Sequence, residues 1–155
     1  MIKIQTITCA SNTSSIDFTS IPATYTDLRV VIHGRSWDSN GNISLYVNGN
    51  ASVPCMWIQG NGSGSSASYA NTYAGFIPIS TTAANTFGSF EFYMPNYLGT
   101  TYVKNFVCNS VTEDNSSTAY STTTAGMWNS TAAVNQLTFN GDFATNSTAT
   151  LYGIL

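Results

Sequence analysis

The side chains able to do acid–base or metal chemistry are few: one histidine, four Lys and Arg, and seven Asp and Glu in 155 residues. Glycoside hydrolysis needs two carboxylates at a set separation, one an acid and the other a nucleophile or base. Glu91, in Phe90-Glu91-Phe92-Tyr93, and Asp17, in Ile16-Asp17-Phe18, are the two candidates. Both fall at outward positions of alternating runs and no partner motif accompanies them, so a solvated face is the better reading. His33 follows Val30-Val31-Ile32. A single histidine cannot build a multi-histidine zinc site. It reads as a satisfied histidine at a strand end, since no one serine partner stands out among so many hydroxyls.

Asp38-x-Asn40-x-Asn42 imitates the start of a calcium loop. The twelfth position, which should be Glu, is Gly49, and the glycine required at the sixth sits at the fourth, as Gly41. Cys9, Cys55 and Cys108 are odd in number and lack C-x-x-C spacing. They read as buried free thiols, not as a disulfide framework or zinc site. The chain therefore predicts no catalytic residue, no metal and no cofactor.

Aromatic faces beside amides and hydroxyls suit carbohydrate. Trp37, next to a polar loop, is the best such candidate, with Asn40, Asn61 and Ser63 as further ligand or partner contacts. Trp57 and Trp128 lie in strand-like runs and read as core.

The polar surface is built from neutral groups. Only 7% of residues are charged, while 20 Ser, 22 Thr and 16 Asn fill more than a third of the chain. A net charge of −3 with Lys3, Arg29, Arg35 and Lys104 scattered argues against nucleic-acid binding, which needs clustered cations. No apolar run approaches the roughly 18 residues of a membrane span. Met1 to Thr8 alternates apolar and polar residues and lacks a signal-peptide core, so the expected site of synthesis is a cytoplasm. Seven N-x-S/T sequons occur, at Asn12, Asn42, Asn50, Asn61, Asn115, Asn129 and Asn146, against about four expected from composition. They read as polar surface.

The elements that must position these residues are strands. Apolar residues recur with a period of two over residues 2–9, 15–19, 28–33, 43–47, 53–59, 73–79, 87–94, 102–109, 119–128, 134–140 and 149–154. Asn48-Gly49 predicts a two-residue hairpin, and Asn140-Gly141-Asp142 a similar turn. Residues 60–66, Gly-Asn-Gly-Ser-Gly-Ser-Ser, predict an exposed tip. Pro54 and Pro78 fall inside apolar runs, so those strands are expected at edges or bulges. The apolar termini are expected to be pinned as strands in a sheet or an interface. The whole reads as one all-β domain over residues 1–155, a β-sandwich or jelly roll of about 8–11 short antiparallel strands.

Four segments carry a resemblance: Ile16-Asp17-Phe18-Thr19-Ser20-Ile21-Pro22-Ala23-Thr24-Tyr25-Thr26-Asp27-Leu28; Asn85-Thr86-Phe87-Gly88; Pro95-Asn96-Tyr97; and Ala125-Gly126-Met127-Trp128-Asn129 with the closing Ser147-Thr148-Ala149-Thr150-Leu151-Tyr152-Gly153-Ile154. Together they resemble small virion surface proteins of tailed bacteriophages, cyanophages included. The likeness spans nearly the whole chain, through strand and turn patterns. It implies a jelly-roll or sandwich module on the particle surface, with no catalytic residues. The resemblance further implies a capsid decoration (cement) protein, commonly trimeric, bound to the major capsid protein on the outside of the head. The alternative it leaves is a tail-associated or receptor-binding module for host surface glycans, acting through the loops around Trp37 and the tip at 60–66. Neither nucleic acid nor membrane is an expected partner.

Overall fold

The computed structural model describes residues 1–113 and 119–155, so the Asn115 sequon lies outside the described residues. The described residues form twelve strands: β1 (Ile2–Thr8), β2 (Thr13–Phe18), β3 (Asp27–Gly34), β4 (Asn42–Val47), β5 (Pro54–Gly60), β6 (Ser65–Asn71), β7 (Tyr73–Phe76), β8 (Gly88–Met94), β9 (Lys104–Thr112), β10 (Tyr120–Trp128), β11 (Leu137–Phe143) and β12 (Thr148–Ile154). Most form where side chains alternate between core and solvent. In β3, Leu28, Val30 and Ile32 point inward, and in β8 Phe90, Phe92 and Met94 do so.

All pairings are antiparallel. One sheet runs β1-β12-β3-β8-β9-β10-β5-β6, and the other β2-β11-β4-β7. The first four strands of the large sheet and the four of the small one form a two-Greek-key jelly roll. The chain passes from one sheet to the other at nearly every step of that roll. Two hairpins are inserted, β5–β6 between β4 and β7, and β9–β10 between β8 and β11. They pair with each other through β10 and β5 and double the width of the large sheet. The small sheet does not follow. Its edge strand β7 packs over β8, β9 and β10 and touches β5, leaving the inner face of β6 uncovered.

One core fills the space between the sheets. Phe139 on β11 meets Phe90 and Phe92 on β8 edge-to-face, with ring centres 5.7 Å apart in both cases. Phe92 continues to Phe106 at 5.8 Å. Trp128 is core, as expected. Cys9, Cys55 and Cys108 are free and buried. Both termini are pinned, β1 pairing with β12 across Ile2–Gly153 to Thr8–Thr148.

Several expectations change. The count among the described residues is twelve because β6 forms over Ser65–Asn71, taking residues 65 and 66 from the expected tip and the rest from a stretch where no strand is expected. Its sequence, Ser-Ser-Ala-Ser-Tyr-Ala-Asn, has little strand preference and is held by pairing to β5, Gly60–Ser65 through Pro54–Asn71. Only residues 61–64 remain as the tip, with Gly62 at φ +83°. Asn48 and Gly49 do adopt positive φ, 50° and 72°, and Val47 pairs with Asn50 across them. The hairpin stops there, because β4 and β5 belong to different sheets. Asn48 instead fastens the neighbouring loop: its Nδ2 donates to the Ala133 carbonyl and its Oδ1 accepts from the amides of Asn135 and Gln136. Asn140-Gly141-Asp142 is a bulge within β11, with Asp142 at φ 47°. Pro54 opens β5, an interior strand, where its missing N–H is tolerated. Pro78 follows β7, which is both an edge and irregular in register.

Burial sets the alkaline stability. It raises the thiol pKa values of Cys9, Cys55 and Cys108 above the ordinary 9.0. Tyr73 and Tyr97 are raised above 10.0 by burial, and Tyr93 by its hydrogen bond to Asp27. The unfolded chain loses these protons first, so their contribution is full below pH 9 and is lost as the pH climbs through the folded-state values. Lys104 works in the opposite direction: burial lowers it from 10.5, so the unfolded chain holds that proton longer. Six acids shift one way and one lysine the other. The melting temperature is expected to fall between about pH 8 and about pH 10, and to fall less in Cys108→Ala. A flat profile in scanning calorimetry would contradict this.

Candidate functional site

The widened sheet and the narrow one create a step, and the step is a groove. Its floor is the inward face of β5. Cys55, Trp57 and Gln59 share that face, but only Cys55 is buried. Trp57 and Gln59 lie beyond the cover of β7 and are half-exposed. The walls come from Tyr73 and Phe76 of β7, Asn42 of β4 and Tyr120 of β10, enclosing about 360 Å³. That falls within the roughly 300–1,000 Å³ of ligand sites. A second hollow of about 190 Å³ continues from Gln59 and Tyr120 towards Asn61, Ser65 and Ser66 at the tip.

The rings are paired. Trp57 and Tyr73 lie 5.6 Å apart at 51°, and Phe76 and Tyr120 5.6 Å apart at 67°. The Gln59 Nε2 donates to Thr122 Oγ1 at 2.9 Å, and the carbonyl end of the same amide takes no hydrogen bond from the described residues. The Asn42 side chain is likewise unengaged among the described residues, although its backbone amide donates to Asn40 Oδ1 at 3.1 Å. Burial raises the Tyr73 phenol, and its hydrogen bond with Thr122 offsets part of that, so Tyr73 stays protonated at neutral pH. Behind Trp57, on the paired position of β10, the Thr124 hydroxyl is buried with no partner among the described residues. Among the described residues no charged side chain lines either hollow.

The residues singled out from the sequence divide into two places. Asn61 and Ser63 meet at the hairpin tip. The Asn61 Oδ1 accepts from the Ser63 amide, the Ser63 hydroxyl and the Gly64 amide, so it shapes the turn, and Asn61 also lines the outer hollow. Trp37 and Asn40 share a loop at the end of the small sheet. The Trp37 amide donates to the Asp142 carbonyl at 2.8 Å and its ring is 43% exposed, lining neither hollow. Asn40 joins Asn42, Asn140 and Asp142 around a separate polar hollow of about 280 Å³. Asn42 is the residue common to that hollow and the aromatic groove.

Trp57, expected in the core, lines the groove instead. The available signal was Gln59, a polar side chain two positions on in the same inward register. Gly41, part of the imitation calcium loop, is explained by packing: a Cβ there would lie 2.2 Å from the Ile77 carbonyl oxygen. His33 is exposed near the end of β3 and stacks on Phe87 at 5.1 Å, instead of being satisfied by hydrogen bonds. Asp17 and Glu91 stand on opposite outer faces of the sandwich. Asp17 accepts from Ser15 and Thr138, and Glu91 lies 2.8 Å from Arg29. So placed, the two cannot flank one glycosidic bond.

Fold and site together define an antiparallel jelly-roll sandwich with a hairpin-widened sheet and an uncharged aromatic groove. Neither a scan of protein-family models nor a search of curated proteins finds a match to this chain.

Proposed function

We propose that this protein is a virion structural protein, a decoration module that sits on the outer surface of a phage head and stabilises it. It acts as a homo-oligomer, a trimer, against the major capsid protein. Its mechanism is the burial of surface, not chemistry.

The observation that carries this reading is an exposed apolar strip on the outer face of the added hairpins. Met56 and Ile58 on β5 and Tyr69 on β6 are 68%, 63% and 65% exposed. In register, Val107, Ala125, Met56 and Tyr69 form one row across four strands, and Ile58 and Ala67 are paired beside it. Contiguous exposed apolar surface of this kind marks an interaction site. The rest of the surface fits close packing of like copies. Its low charge density limits repulsion between them. Its hydroxyls and amides can make hydrogen bonds across wet interfaces. A standard interface of roughly 1,600 Å², repeated over a shell, supplies the stabilisation.

Particles lacking the protein are expected to release their genome at lower temperature and under milder osmotic shock than complete ones. Met56→Ser with Tyr69→Ser is expected to weaken rebinding to stripped particles by about tenfold or more, as loss of central apolar contacts does. Equal tolerance of particles with and without the protein would sink the proposal.

A further inference from the structure

The geometry points to a second binding site, separate from the shell-binding strip: the step groove takes a neutral saccharide. Trp57, Gln59 and Tyr73 lie on the inward side of the widened sheet and its neighbour β7, whereas Met56, Ile58 and Tyr69 face outward. A module seated by its outer strip therefore keeps the groove open.

Three features select the ligand chemistry. Floor and walls carry four aromatic rings in two pairs, one tilted and one edge-to-face, which offer apolar surface to the C–H face of a pyranose ring. The polar groups at hand are neutral: the Gln59 carbonyl, the unengaged Asn42 amide and the Tyr73 phenol, a set of donors and acceptors suited to sugar hydroxyls. Among the described residues no Lys, Arg or His lines the groove, so phosphate, sulfate and carboxylate groups find no counter-charge there, and no Asp or Glu offers metal or acid–base chemistry. The continuation towards the hairpin tip gives room for a ligand longer than one ring. The same neutrality disfavours acidic and basic peptides.

The test uses the intact chain, whose three tryptophans give three indole N–H resonances. Maltohexaose, cellohexaose, chitohexaose and mannohexaose are titrated in turn to about 10 mM, beyond the millimolar affinities of weak specific sites. The expected result is a saturable shift of the Trp57 resonance by at least one of them, with the buried Trp128 resonance still. Trp57→Ala and, independently, Gln59→Ala should each weaken binding about tenfold or more, while Trp57→Phe retains part of it. Gln59→Ala guards against a fold lost with the indole. No shift with any sugar overturns the proposal. So does a response confined to Trp37, or binding only of charged glycans such as sialyllactose. Particle stability is a separate readout, so failure here leaves the shell-binding reading standing, and the reverse also holds.

Discussion

Phe139→Ala is expected to lower the free energy of unfolding by about 3–5 kcal/mol, the range for emptying a buried phenylalanine site. The side chain is fully buried on β11, and it touches Phe90 and Phe92 across the gap between the sheets. Both contacts are edge-to-face, the favoured geometry for paired rings. Because Phe139 belongs to the small sheet and its partners to the large one, the cavity would open where the sheets are joined. Strand backbones held by ladders on both sides cannot collapse to fill it: β11 is paired to β2 and β4, and β8 to β3 and β9. A domain with the usual margin of about 5–15 kcal/mol would lose a large share of it. Urea titration with a constant m-value would give the figure, and Phe139→Leu should cost distinctly less. A loss under about 1 kcal/mol would mean that the sheets are held elsewhere.

Lys104 is the second place where one substitution should matter, and its role is unusual. It opens β9 at an inward position and is 1% exposed, yet no carboxylate among the described residues lies within ion-pairing distance. Its ammonium donates to the Thr131 carbonyl at 2.8 Å and to the Ala132 carbonyl, and it lies 5.6 Å from the centre of the Trp128 ring. The group thus ties the loop after β10 to the start of β9. Lys104→Ala is expected to cost about 2–4 kcal/mol, from two charge-assisted hydrogen bonds and the packing of the stem, less the relief of desolvating a cation. Lys104→Met keeps most of the stem and should cost about 1–3 kcal/mol, because two carbonyls are left without their donor. Hydrogen exchange would locate the effect, with faster exchange confined to the loop and to neighbouring Trp128. If Lys104→Met proves as stable as the native chain, water replaces the ammonium without loss and the clamp reading fails.

How far the sequence could be read depends on which partner decides each element. β3 and β8 are legible because Leu28-x-Val30-x-Ile32 and Phe90-x-Phe92-x-Met94 alternate by themselves. β6 is not, because nothing in Ser65–Asn71 prefers a strand until β5 lies beside it. Asn48-Gly49 correctly signals two left-handed residues, but local turn chemistry cannot say that the chain then crosses to the other sheet. Asn140-Gly141-Asp142 signals positive φ equally well, and the structure spends it on a bulge. The groove is the feature least legible in the sequence. Trp57 alternates like a core residue; that it is open follows from the small sheet ending at β7, a fact of topology written nowhere near residue 57. Trp37 stands beside a polar loop and Asn61 and Ser63 lie in a Gly/Ser-rich one, and loop composition is what the sequence shows of them. Only Asn61 reaches the groove continuation.

The order of strands also governs when this molecule can come into being. β12 fills the slot between β1 and β3, and β11 the slot between β2 and β4. Until residues 137–154 have left the ribosome, both sheets have a gap in the middle, and β1 and β2 have no native neighbour in their sheets. The nascent chain must wait with apolar strand edges unpaired, a hazard at high expression. Closure is then a single late event that locks both halves of the roll together, and the slow kinetics of non-local pairing belong to that step.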